Sequence, residues 1–289
     1  MDDFGMDIED MDALEMDIAI SSEAVEEVPN VMAQELKPLH FRLMTNERNN
    51  YSISISPRRV NLLSNIVRDC EVASISITSM CEQMLEARQG SIINKERFDE
   101  AVNKIFTTNH LCSASKANER MLYSLLSSIF HSFDSKKTNR VEATELMCGL
   151  TVLCGGRKSD KLEYTFELLD RKKKGLVSRF QMVRYLHSFL TVLLNISSCK
   201  LGDEPEEEIL FTASGGKVSP GITLPRVIGW VSSWATEEVF KSTPKEKKEI
   251  YDGTECINFD NFAEWYTRGG HNSISWLELL DLKKWILSK

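Results

Sequence analysis

Asp134-Ser-Lys-Lys-Thr-Asn-Arg-Val141-Glu-Ala-Thr-Glu145-Leu146 and Asp170-Arg-Lys-Lys-Lys-Gly175-Leu-Val177-Ser-Arg-Phe-Gln181-Met182 stand 36 residues apart and carry the same punctuation. Each has Asp at position 1, a β-branched residue at position 8 and an apolar residue at position 13. Ahead of the first, Leu122, Leu125, Leu126, Ile129, Phe130 and Phe133 fall on one face of a helix. Ahead of the second, Leu162, Phe166 and Leu169 repeat the end of that stripe. Each copy therefore reads as a helix, a turn-bearing loop and a second helix. Such a unit cannot bury its apolar face alone, so units come in pairs, with position 8 of each loop joined in a short ribbon. The spacing suggests Val141 and Val177 as the two halves of that ribbon.

Two weaker copies appear further out. Ile93 to Phe98 follows Gly90, and Ile257 to Phe262 follows a helical pattern over 224–240. Val177 and Ile257 are too far apart for one unit, and the excess falls in 197–222, where Gly and acidic residues mark an inserted loop. Before all of this, Leu39, Phe41 and Leu43, then Tyr51, Ile53 and Ile55, alternate with polar residues. They predict a small β-hairpin. Ser56-Pro57 then opens a helix as N-cap and first residue.

Composition narrows the function classes. The chain has 289 residues and a formal charge of −8. Eleven acidic and no basic side chains lie in the first 30 residues, leaving 35 basic against 32 acidic over the rest. The acidity belongs to a tail, expected to be solvated; its apolar residues Phe4, Ile8, Leu14, Ile18 and Ile20 could alternatively order it on a partner. There is no basic footprint for nucleic acid. The seven cysteines are dispersed without C-x-x-C spacing and read as buried thiols of a reducing compartment. The most apolar run, 182–196, is interrupted by Arg184 and His187 and is too short to span a bilayer. A cytoplasmic location is expected. No phosphate loop, nucleophile elbow or zinc motif suggests an enzyme.

Glu142 to Leu194, with Glu-Leu-Met-Cys-Gly-Leu-Thr-Val-Leu-Cys-Gly-Gly and Phe166-Glu-Leu-Leu-Asp170, resembles the EF-hand superfamily, in particular calcineurin-B-like and neuronal-calcium-sensor-like proteins. The resemblance implies a mainly α fold of EF-hand pairs in two lobes, with a short N-terminal β element. Along the chain the expected order is an acidic tail (1–36), the hairpin (37–56), a degenerate first hand (57–118) and a central pair (119–196). The inserted loop (197–222), a degenerate fourth hand (223–270) and a C-terminal amphipathic helix (271–289) follow.

Calcium in such a loop needs oxygens from positions 1, 3, 5, 9 and 12, with a backbone carbonyl at 7 and a turn residue at 6. The first loop offers Asp134, Thr138, Glu142 and Glu145, with Arg140 through its carbonyl, but puts Lys136 at position 3. It is a weak calcium candidate. The second keeps Asp170 and Gly175 but has Lys172, Lys174 and Gln181 where oxygens or a carboxylate belong, and should be empty. The outer frames are poorer: Arg88 and Arg97 fall on positions 3 and 12 of one, Ile250 and Asn261 on positions 1 and 12 of the other. The C-terminal stretch sets Trp276, Leu279, Leu280 and Ile286 along one helical face, either filling the protein's own groove or anchoring a partner. The expected function is an adaptor or regulatory subunit that binds another protein, with calcium weak or lost. A true sensor using the 134–145 loop, or a structural component of an assembly, are the alternatives.

Overall fold

The computed structural model describes residues 38–45, 50–109, 116–170, 172–201, 210–213 and 222–281. The acidic tail lies outside them. The hairpin forms as its alternation requires: β1 (Leu39–Leu43) pairs antiparallel with β2 (Tyr51–Ile55), Leu43 opposite Tyr51. Phe41, Leu43, Tyr51, Ile53 and Ile55 face the core while Arg42 and Ser52 face water.

After it, α1 (Pro57–Asp69) starts on the Ser56 hydroxyl, which accepts from Arg59 N. Two helix–loop–helix units follow. The first contains α2 (Ile77–Ala87), β3 (Ile92–Asn94) and α3 (Lys95–Thr108). The second contains α4 (Lys116–Phe133), β4 (Arg140–Glu142) and α5 (Ala143–Leu150). β3 and β4 form an antiparallel ribbon with Ile93 opposite Val141. The third unit runs from α6 (Lys158–Leu169) through β5 (Val177–Ser178) to α7 (Arg179–Ser198). The last begins with α8 (Leu224–Ser242), which leads through a hairpin of β7 (Glu249–Tyr251) and β8 (Thr254–Ile257) into α9 (Phe259–Trp265). Here Val177 lies opposite Ile257.

This corrects the pairing expected from the sequence, because Val141 and Val177 are not partners. The closer spacing of Val141 and Val177 in sequence does not decide which strands pair. Joining the middle two would leave Ile93 and Ile257 without a strand to pair with, whereas joining neighbours in sequence satisfies all four. Ile93, Val177 and Ile257 are fully buried and Val141 nearly so. The two ribbons also do not mark separate cores. Buried side chains from every helix pair join one cluster, and α7, packed on α4, α5 and α8, runs through it.

Three further features were not foreseen. The 197–222 stretch is not merely a loop: α7 continues to Ser198, and Leu210–Ala213 (β6) adds to the outer edge of β2, Tyr51 opposite Ala213. Arg59 is buried at the C-terminal end of α7, where its guanidinium donates to the carbonyls of Ile196 (2.9 and 3.0 Å) and Cys199 (2.7 Å), capping the helix. Gly155 donates to Ile75 O, and a Cβ there would come 1.9 Å from Ala73 O, so that crossing admits only glycine.

The C-terminal stretch departs from the α-helical expectation. Ser275–Leu280 is a 3-10 helix, in which i and i+3 align. Trp276 with Leu279, and Leu277 with Leu280, thus form two adjacent rows, and all four are buried in the protein's own core. The Trp276 ring stacks on Phe189 of α7 at 5.6 Å. Trp276, Leu279 and Leu280 are therefore core residues and are not free to anchor a partner. Ile286 lies outside the described residues.

Candidate functional site: the two central loops

In the first loop, the Asp134 carboxylate organises the turn. Its Oδ1 accepts from Thr138 N (2.8 Å) and Thr138 Oγ1 (3.1 Å), and its Oδ2 from Asn139 N (2.6 Å). Lys137 and Asn139 supply the left-handed backbone that closes the loop, with φ of +53° and +55°. Burial works against the Asp134 charge, but the hydrogen bonds from Thr138 and Asn139 prevail and hold its pKa below the ordinary carboxylate value.

The other carboxylates turn elsewhere. Glu142 caps α5, its Oε2 accepting from Glu145 N at 2.8 Å. The same oxygen lies 3.2 Å from Arg184 Nη2, and Arg184 Nε donates to Glu145 Oε1 at 2.7 Å. Asp134 and Thr138 are thus brought together, and Glu142 and Glu145 are brought together, but on a guanidinium from α7. Arg140 lies exposed in the ribbon, opposite Asn94. Beside it is an open hollow of about 530 Å³ lined by Ser91, Ile92, Thr138, Arg140, Val141 and Glu142. Arg184 is the residue that sequence reasoning missed. Its signal was present: a charge interrupting the most apolar run of the chain needs a partner.

The second loop has a different solution. Asp170 again accepts from its own loop, from Lys172 N (3.2 Å) and from Gly175 N, with φ at Lys173 and Gly175 of +51° and +71°. Gln181 does what a carboxylate could not. Its Oε1 accepts from Ser178 N (2.9 Å) and Ser178 Oγ (2.8 Å) while its Nε2 donates to Leu169 O, stitching the end of α6 to the start of α7. Lys172, at position 3, reaches across to form an ion pair with Asp252 and lies over the Tyr251 ring at 4.8 Å. Its pKa is raised, chiefly by the hydrogen bond to Asp252. Asp252 belongs to the Asp252-Gly253 turn of the β7–β8 hairpin, with both residues at positive φ. That hairpin stands in the last unit where a ligand loop would be.

The donor set as arranged does not fit calcium. Positions 9 and 12 of the first loop are engaged with Arg184, and position 12 of the second with backbone. Among the described residues, no group of three or more His, Cys, Asp or Glu side chains is placed to hold a metal ion. The six described cysteines are buried, and burial pushes the Cys81 and Cys154 thiols up to about 12. Cys112 lies outside the described residues. No helix among them is long and apolar enough to cross a membrane.

No family model matches the chain. It is similar to the calcium-binding protein NCSA of Dictyostelium discoideum, 23% identical over 146 residues that cover 50% of this chain and 70% of the relative. Shorter matches link it to ubiquitin carboxyl-terminal hydrolase 32. The mouse protein is 28% identical over 69 residues (24% of this chain) and the human protein 29% identical over 59 (20% of this chain). The chain spans only 4% of either hydrolase. The coarse outcome is a mainly helical protein distantly similar to a calcium-binding one.

Proposed function

We propose that the chain is an EF-hand-like protein of four units, paired first with second and third with fourth, acting as an adaptor or regulatory subunit that binds another protein without depending on calcium. The pairing reading draws its support from the two ribbons, Ile93 with Val141 and Val177 with Ile257. The observation that carries calcium independence is the engagement of Glu142 and Glu145 by Arg184, together with Lys136 at position 3. Similarity to NCSA supports the calcium-related ancestry of the scaffold.

A second reading keeps the 134–145 loop as a working sensor, favoured by the intact Asp134–Thr138–Asn139 turn. Calorimetric titration of the full chain with calcium separates the two. Absence of saturable heat up to about 1 mM, the weak end of EF-hand affinities, is expected. Micromolar binding abolished by Glu145→Gln would establish the sensor and overturn the adaptor reading.

A further inference from the structure

Arg184 lies on α7, the exit helix of the third unit, and its two carboxylate partners lie on the second unit, one capping α5 and one in its first turn. The side chains of Arg184 and Glu142 are each 22% exposed and that of Glu145 36%, so the cluster is partly screened from water. One turn before Arg184, the Phe180 ring lies over the guanidinium, 5.6 Å from its carbon. Phe180 is itself 70% exposed, which makes it an apolar cover for the ion pair on the solvent side. A guanidinium held by two carboxylates through separate nitrogens is a strong and directional arrangement. It offers positions 9 and 12 a permanent positive charge, which a divalent cation would have to displace, leaving Arg184 partly buried and unpaired.

We propose that Arg184 is a resident cation of the 134–145 loop. It takes up the carboxylates that would face a divalent ion, closes the loop to calcium and locks the second unit to the third. The proposal rests on the calcium-independent reading above, and it assigns the closure to Arg184 rather than to Lys136 alone. Lys136 is exposed, and the ion pairs of this cluster join Arg184 to Glu142 and Glu145.

The test uses the full chain, CaCl2 and three proteins: wild type, Arg184→Gln, and Arg184→Gln with Glu145→Gln. The expected result is no saturable heat for wild type. Arg184→Gln should bind one ion at least about tenfold more tightly than the ~1 mM limit, and the double variant should lose that binding. If Arg184→Gln behaves as wild type does, the resident-cation proposal fails while calcium independence stands. If wild type binds at micromolar calcium, both fail. Should Arg184→Gln not fold, Arg184→Met, which keeps the stem's volume, takes its place. Amide-type exchange at Arg184 Nε–H in wild type gives an independent reading. It should be slow and become fast in Glu145→Gln; exchange already as fast as in an exposed arginine would overturn the proposal.

Discussion

Gln181 shows how little a single residue need change to alter a loop's purpose. Where an acidic side chain would accept in both directions, the amide accepts from Ser178 and donates to Leu169 O. Gln181→Glu should therefore destabilise the protein by roughly 1–2 kcal/mol, since it removes a donor from a part-buried carbonyl and brings a carboxylate against it. Urea unfolding at neutral pH measures this; an unchanged midpoint would mean that the stitch carries no weight. The turn residues at position 6, Asn139 and Gly175, were legible in the sequence, since their backbone work is fixed by local spacing. That Asp134 and Asp170 accept from their own loops was seen only in the structure. Nor was Arg184 legible, because its partners lie on another unit. Only the fold tells a charged interruption of an apolar helix where to turn.

At the scale of elements, helices and hairpin followed from periodicity and, for α1, from the cap Ser56; the caps Ser76, Asn94 and Ser178 are seen in the structure. Strand partners did not follow, for β3, β4 and β5 are too short to carry a register of their own. The same holds for β6, whose Leu-Phe-Thr-Ala run gains an identity only from the free edge of β2. The C-terminal 3-10 helix was misread because Trp276, Leu279 and Leu280 satisfy an α-helical stripe as well as a threefold one. Its hold on the body is extensive. Glu278 accepts from Tyr266 and is ion-paired with Lys158 of α6, while buried Lys161 donates to Leu280 O at 2.7 Å. Trp276→Ala should cost about 3–5 kcal/mol, the range for emptying a buried aromatic site. A thermal or urea transition shifted by less than about 1 kcal/mol would show that the segment is only loosely seated.

For the whole molecule, titration behaviour is set by what the core has swallowed. Cys81 and Cys154 are raised from 9.0 to about 12 and Cys148 is raised too, in each case first by burial. Folded thiols stay protonated where unfolded ones ionise, so their contribution is present below pH 9 and lost as pH rises toward 12. Lys161 has the opposite sign. Burial lowers it from 10.5 to about 8, with Cys154 and Asp281 opposing. Its folded-state penalty applies below pH 8 and fades as pH rises toward 10.5. Three thiols outweigh one lysine, so the urea midpoint should fall between pH 8 and pH 10, and more steeply in Lys161→Met; a midpoint that rises would contradict this balance. The fold also imposes an order of assembly. The strand that completes the N-terminal sheet comes from residues 210–213, after both halves of the first ribbon and all of α7. During synthesis the hairpin must wait, with the outer edge of β2 open and Tyr51, Ile53 and Ile55 ready to pair. Residues 210–213 thus act as a late closure, protecting a sheet edge made earlier in synthesis from joining its neighbours.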